Sequence, residues 1–234
     1  MKPLEKALLL RKSARLRSKE PMRLFLNRLR EPGRLLKLIE GQPLSAATKR
    51  EARRQYLVCV CAAFETYWRE FVRVNVDRHR IPASALEHLK RVSFTLADVH
   101  KVVGRKVSLG ELVSCSFSFQ CAEAVNVAVS EILQVKVFSE FAEARFSLRE
   151  VRPKKSSRKR PPFKSEIAGR DILKSTCGAI DRCFAIRHDT VHSTGIVHRV
   201  AEREAVLVAN AAWQFNTFVG THVERRFSTL WGRR

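Results

Sequence analysis

The sequence predicts an all-α fold, a helical bundle with additional basic helices at its N-terminus and one inserted basic loop. Hydrophobic residues make up 45% of the 234 residues, which is enough for one substantial buried core. In the long segments apolar residues recur every three or four positions, which is typical of helices with one buried face. Only residues 113–121 alternate clearly with the period of a strand, and a single strand has no partner. We therefore expect an extended connection or a bent helix there.

Residues 1–42 are predicted to form a basic helical N-terminal extension. The first thirty residues contain ten Lys or Arg and two acidic residues. Pro3 and Pro21 each suit the first turn of a helix, and Pro32 followed by glycine indicates a break. We expect two short helices and a further turn near residues 35–39, either lying on the bundle or forming an arm.

The main helical domain is predicted to cover residues 43–224. Its first helix begins after Ser45, a suitable N-cap, and runs to about Asp77. Two short helices follow, over residues 82–89 and 95–103. The first helix has the broadest apolar face of the chain, formed by Leu57, Cys61, Phe64, Trp68 and Phe71.

Four further helices are predicted in the second half of the chain. They span residues 122–133, 137–150, 165–194 and 200–223, and residues 225–234 form a basic C-terminal tail. The apolar face of the last helix is predicted to consist of Val206, Ala209, Trp213, Asn216 and Val219.

A basic loop, residues 152–164, interrupts this domain. It begins with six Lys or Arg among three prolines and has no acidic residue in that stretch. It is either a solvated linker or an arm that grips phosphates. We favour the arm because the loop leads directly into the helix that carries Arg187. The predicted RNA-binding residues are Lys154, Lys155, Arg158, Lys159 and Arg160.

The charge of the chain predicts a polyanionic partner. Lys and Arg number 45 against 23 Asp and Glu, a net charge of +22, and arginine suits phosphate oxygens. The six cysteines lack zinc-site spacing and are interpreted as free thiols, which favours a reducing, cytoplasmic location. No segment has the length and apolarity of a membrane span, so no membrane partner is expected. We expect neither a metal ion nor a cofactor.

Arg187 occupies an unusual position in its predicted helix. The apolar residues before it recur at Leu173, Cys177, Ile180 and Phe184, and Arg187 is the next position in this phase. A charge at a core-facing position is costly unless it is paired or used. Polar residues, His188 and Asp189, follow it, then His192 and the helix-stop signal Gly195.

Residues 187–192 resemble the Arg-x(4–6)-His signature of the HEPN superfamily, in which a polar residue usually follows the arginine. Two further stretches, residues 61–72 with Glu65 among aromatics and residues 108–113, resemble parts of HEPN proteins. The resemblance covers roughly residues 45–222. It implies a HEPN-like helical bundle, commonly homodimeric, and in many members a metal-independent endoribonuclease that acts as a toxin or antiviral effector.

The same resemblance implies the roles of individual residues. Arg187 and His192 would be catalytic, with His188, Asp189 and Glu65 in support. The paired motifs of two chains would form one composite cleft that cleaves RNA. A further partner, such as an antitoxin or a regulatory protein, is also expected.

The chemistry of metal-free RNA cleavage fits these residue types. One group must take the 2′-hydroxyl proton, another must protonate the leaving 5′-oxygen, and charge on the phosphorane must be stabilised. Histidine suits either proton transfer, and arginine suits phosphate. On an ideal helix, positions 187 and 192 are about 140° apart. We therefore expect the helix to loosen before Gly195, or the site to be shared between chains.

Other interpretations of the same residues remain open. Arg187 pairs with Glu65 or Asp189 inside the bundle in a purely structural interpretation, with Glu65 orienting the guanidinium. His192 is then a cation at the end of a helix dipole. At the level of the whole protein, the alternatives are a non-catalytic HEPN-like module that binds nucleic acid or a partner protein, and a helical DNA-binding regulator.

Overall fold

The computed structural model describes residues 21–91, 103–104, 107–149, 164–192 and 199–232. These residues form an all-α fold with one small hairpin, which confirms the predicted class. In chain order the elements are α1 (Pro21–Gly41), α2 (Ala46–Arg78), a 3₁₀ helix (Ala83–Arg91), α3 (Leu109–Ser116), α4 (Ala122–Leu133), α5 (Val137–Glu143), β1 (Arg145–Arg149), β2 (Lys164–Ala168), α6 (Gly169–His192) and α7 (Glu202–Trp231).

Helix α2 is the central element of the bundle. Ser45 caps it as predicted, because its hydroxyl accepts a hydrogen bond of 3.1 Å from the backbone N–H of Thr48. The predicted apolar face is buried throughout, and α2 contacts α1, α3, α6 and α7. Its aromatic side chains contact those of other helices: the Phe64 ring lies 5.9 Å from that of Phe184 and 5.7 Å from that of Phe215.

Helix α1 runs through Pro32 without interruption, so the predicted break there is wrong, and the predicted second short helix and the turn near residues 35–39 are one helix. A proline inside a helix removes one backbone hydrogen bond and costs about 3 kcal/mol. Here packing opposes that cost, because Phe25 and Leu36 are buried on either side of Pro32 and belong to the main core. The described part of the extension therefore lies on the bundle; residues 1–20 are outside the described ranges.

The alternating segment 113–121 is a helix followed by a connection. Ser108 and Glu111 form a capping box that starts α3, and Asp77 of α2 accepts a hydrogen bond of 2.8 Å from the N–H of Gly110. The helix ends at Phe117, whose backbone is extended, and residues 117–121 form a non-helical connection to α4. Residues 113–116 thus end a regular helix instead of a bent one, and the expected extended connection is limited to residues 117–121.

A two-stranded antiparallel hairpin replaces helix at two predicted places. Residues 145–149 were expected to end one helix and residues 165–168 to begin another, but they are β1 and β2. Phe146 is the Cα partner of Ile167, and its ring packs 4.9 Å from Phe141 and 5.5 Å from Phe218. Each strand is stable because the other is its pairing partner. The two strands are separated in sequence by the basic loop, so a local sequence pattern does not reveal the pairing.

Helix α7 is longer than predicted and rotated relative to its predicted face. Val206 and Trp213, expected in the core, are 48% and 43% exposed. The predicted C-terminal tail is helical through Trp231, and Phe227 within it is fully buried. The buried face consists of Ala205, Val208, Ala211, Ala212, Phe215, Asn216, Val219, Gly220, Val223 and Phe227.

No helix among the described residues is both long and apolar enough to cross a membrane.

Truncation of the core of α2 should be costly. We expect Phe64→Ala to lower the free energy of unfolding by about 3–5 kcal/mol, because Phe64 is 1% exposed and its removal leaves a cavity. Val127→Ala on α4, a 51% exposed position, should change it by about 0.5 kcal/mol or less. Urea unfolding measures both, and equal effects would contradict the central place of α2.

Candidate active site

Arg187 lies on the last two turns of α6 and pairs with Glu65 of α2. The Nη1 atom of Arg187 is 2.5 Å from Oε1 of Glu65, and the side chains are 30% and 15% exposed. The guanidinium carbon also lies 5.9 Å from the centre of the Phe184 ring. The expected pairing of Arg187 with Glu65 is thus present, and it fixes the guanidinium at the edge of the core.

His188 and His192 are one helical turn apart on an exposed face of α6. Their ring centres are 4.6 Å apart. Residues four positions apart on a helix lie one above the other, so both imidazoles project into the same solvent-facing region. The site therefore has two accessible proton-transfer groups next to one anchored cation.

A small pocket of about 290 Å³ brings these side chains together. It is lined by Gln120, Phe184, Arg187, His188, Val191 and His192. Asp189 is not among the lining residues. It follows Arg187 by two positions, so its side chain points about 200° away from that of Arg187 around the helix. Glu65 lies behind Arg187 as its ion-pair partner, not in the lining.

Gln120 is a pocket residue that sequence reasoning missed. It belongs to the connection between α3 and α4, which is tied to α6 by a 3.1 Å hydrogen bond from the N–H of Ala122 to Oδ1 of Asp181. Because this bond joins segments nearly sixty residues apart, no local sequence spacing indicated that Gln120 would lie beside Arg187.

Helix α6 remains regular through the motif. It extends without a break from Gly169 to His192, so the helix does not loosen between Arg187 and His192. Gly195 lies outside the described residues. Sharing of the site between two chains, the other expectation, stays a prediction.

A pair of thiols lies one helical turn before the ion pair on α2 and α6. Cys61 and Cys183 precede Glu65 and Arg187 by four residues each, and their sulfur atoms are 3.2 Å apart. The hydrogen bond with Cys183, together with burial, holds the pKa of Cys61 far above its usual range. This thiol stays neutral and is no nucleophile. All six cysteines of the chain are free, as predicted.

Within the described ranges, no group of three or more His, Cys, Asp or Glu side chains could hold a metal ion.

The predicted RNA-binding residues of the basic loop, Lys154 to Arg160, fall outside the described residues, but the hairpin fixes where the loop begins. Arg149 and Lys164 are Cα partners at the open end of the ladder. The ladder leads into α6 at Gly169, eighteen residues or about 27 Å from Arg187. The loop therefore begins and ends at the open end of a hairpin that directly precedes α6 in the chain.

The chain matches no protein-family model, and no curated protein or solved structure shows significant similarity to it.

The Arg187–Glu65 pair should contribute more to stability than a surface pair. We expect a double-mutant cycle of Glu65→Gln and Arg187→Gln to give a coupling energy of about 1–2 kcal/mol, because both groups are partly shielded from water. The matched cycle on Glu31 and Arg34, which are 72% and 68% exposed, should give about 0.5 kcal/mol or less. Urea unfolding supplies these free energies, and indistinguishable couplings would show that the pair does not hold α2 to α6.

Proposed function

We propose that this protein is a metal-independent endoribonuclease that cleaves RNA at a site formed by Arg187 and His192. The observation that carries this proposal is the pocket itself, in which an anchored guanidinium borders two exposed imidazoles. These are the groups needed to stabilise a phosphorane and to move protons at neutral pH. The resemblance of residues 187–192 to the HEPN signature points to the same activity.

Arg187 would bind the phosphate that reacts. Its guanidinium has five N–H donors, and the pairing with Glu65 uses a donor on Nη1, so other donors remain for phosphate oxygens. Glu65 is a positioning residue in this proposal, because it acts through Arg187. A guanidinium held in place before RNA binds needs little reorganisation during the reaction.

Histidines would carry the proton transfers in a composite site. His192 of one chain takes the proton of the 2′-hydroxyl, whose oxygen then bonds to the adjacent phosphorus. The protonated His192 of the partner subunit gives a proton to the 5′-oxygen as the phosphorus–oxygen bond breaks. The products are a 2′,3′-cyclic phosphate and a 5′-hydroxyl. His188, one turn away, supports phosphate binding.

The assembly proposed for this site is a homodimer. Val191 lines the pocket and is 57% exposed, an apolar side chain beside three basic ones. A second copy of α6 packed against this end of the helix would bury Val191 and bring two His192 rings into one cleft.

RNA as the partner follows from charge. The surplus of 22 positive charges favours a polyanion, and the basic loop contributes Lys154, Lys155, Arg158, Lys159 and Arg160 to it. In this proposal the loop binds phosphates of the RNA strand outside the cleavage site. A cytoplasmic toxin or defence effector, restrained by an antitoxin or regulatory protein, is the biological role that the HEPN resemblance supports.

A second candidate is a non-catalytic module that binds nucleic acid. The ion pair of Arg187 with Glu65 favours it, because a charge neutralised inside the bundle needs no substrate to explain its position. RNA cleavage by the purified protein separates the two candidates.

We expect His192→Ala to lower the rate of RNA cleavage at least about 100-fold, because general acid–base groups typically contribute that much or more. The thermal midpoint should stay unchanged, since His192 is exposed at the end of α6. Arg170→Ala, an exposed substitution on the first turn of the same helix, serves as the control and should retain activity. Assays in excess EDTA should give the same rates. Full activity of His192→Ala, or a requirement for magnesium, would refute the proposed metal-independent nuclease.

Assembly can be tested at Val191. We expect the wild-type protein to be a dimer in sedimentation equilibrium and Val191→Glu to be a monomer without nuclease activity, because a buried carboxylate at the interface is costly. Val127→Glu places the same charge at a similarly exposed valine on α4 and should leave mass and activity unchanged. An active monomer would refute the composite site.

A further inference from the structure

A second, larger groove lies between α1, α2 and α7. Its volume is about 970 Å³, and both polar and apolar side chains line it. Tyr67 of α2 borders it, only two residues after Glu65, so the two side chains point about 200° apart around α2. The groove is thus on the other side of α2 from the Arg187 pocket and is a separate site.

Two buried asparagines on the groove have amide atoms without hydrogen-bond partners. Asn216 is 1% exposed, and neither Nδ2 nor Oδ1 is paired. Asn75 is 2% exposed; its Nδ2 donates to the carbonyl of Phe71, but its Oδ1 is unpaired. A buried polar atom left unpaired destabilises the fold, and a polar ligand in this groove would supply partners for three such atoms.

The floor of the groove is rigid. The Tyr67 hydroxyl donates a 2.8 Å hydrogen bond to the carbonyl of Asn216, and burial raises the pKa of Tyr67, which keeps that hydroxyl protonated. At Gly220 a β-carbon would lie 2.3 Å from the same hydroxyl oxygen, so only glycine permits this approach of α7 to α2. The backbone that presents Asn216 is therefore held in place, whereas its terminal amide torsion is broad enough to turn toward a ligand.

The rim of the groove combines an aromatic ring with positive charge. Trp213 exposes 43% of its surface there. Arg23 and Arg30 of α1 are exposed on the same groove. At one end the carboxylate of Glu224 lies 3.3 Å from Arg78, which neutralises it. The net charge of the rim is therefore positive, which favours an anionic ligand and disfavours a basic polypeptide segment.

We propose that this groove binds a nucleobase that carries a phosphate. The base stacks on Trp213, the amide of Asn216 pairs with the edge of the base, and Arg23 and Arg30 bind the phosphate. An asparagine amide offers one donor and one acceptor, which match the N6 and N7 atoms of adenine. Stacking on tryptophan and phosphate binding by arginine are the usual ways in which proteins hold unpaired nucleotides. This binding does not depend on RNA cleavage at Arg187.

The nucleotide has two sources, a single RNA strand or a free nucleotide, and the chemistry of recognition is the same. The test uses the His192→Ala protein, so that RNA stays intact, with AMP, ribose 5-phosphate and an eight-residue oligoadenylate as probes in calorimetry at constant salt. We expect AMP to bind and ribose 5-phosphate, which lacks a base, to bind at least tenfold more weakly. Tighter binding of the oligoadenylate, displaced by AMP, assigns the groove to a strand; equal binding assigns it to a free nucleotide.

Matched variants show where the probe binds. Trp213→Ala should weaken AMP binding about tenfold, whereas Gln214→Ala, the neighbouring exposed residue, should not. Arg30→Ser should weaken it and Arg28→Ser, an equal charge change on the same helix outside the groove lining, should not. Asn216→Leu should lose binding while its thermal midpoint stays equal or rises, because an apolar residue of similar size removes two unpaired atoms.

Two results would overturn the proposal. One is that neither AMP nor the oligoadenylate binds. The other is that AMP affinity falls equally in the groove variants and their controls, which would indicate non-specific charge attraction. If the wild-type protein binds AMP but does not cleave RNA, the nuclease proposal fails and the groove assignment stands.

Discussion

The aromatic face of α2 is the constraint on which the rest of the structure depends. Helices from both halves of the chain pack on it, and Phe64 alone contacts Phe184 of α6 and Phe215 of α7. Burial of these large rings fixes the positions of α6 and α7 around α2. Both candidate sites are consequences of this packing, because one lies where α2 meets α6 and the other where α2 meets α1 and α7.

Charge pairing decides which cations remain available for a partner. Inside the bundle, acidic groups have arginine partners: Arg53 donates to Glu40 at 2.6 Å, and this hydrogen bond lowers the pKa of Glu40. Arg187 with Glu65 follows the same rule. Because Lys and Arg outnumber the acids by 22, pairing leaves a large cationic surplus. That surplus opposes folding through self-repulsion, and a polyanion relieves it.

Sequence reasoning succeeded where structure follows from local periodicity. The apolar stripe of α2, its Ser45 cap and the unusual phase of Arg187 were all visible in the local sequence, and Glu65 was one of the two partners considered for Arg187. It failed where a partner lies far along the chain. Neither β1 nor β2 is stable without the other, and Gln120 and the unpaired amide of Asn216 are brought to their sites only by tertiary contacts.

The hairpin separates the basic loop from the scaffold mechanically. Because Arg145 to Arg149 pair with Lys164 to Ala168 before α6 begins, the ladder closes the chain on itself and carries the loop as a side branch. Closing a loop of twice the length costs only about 0.6 kcal/mol more. Insertions, deletions and grafted peptides between the strands would leave the register of α6 untouched, so the length and charge of this segment can change without a change in the helical bundle.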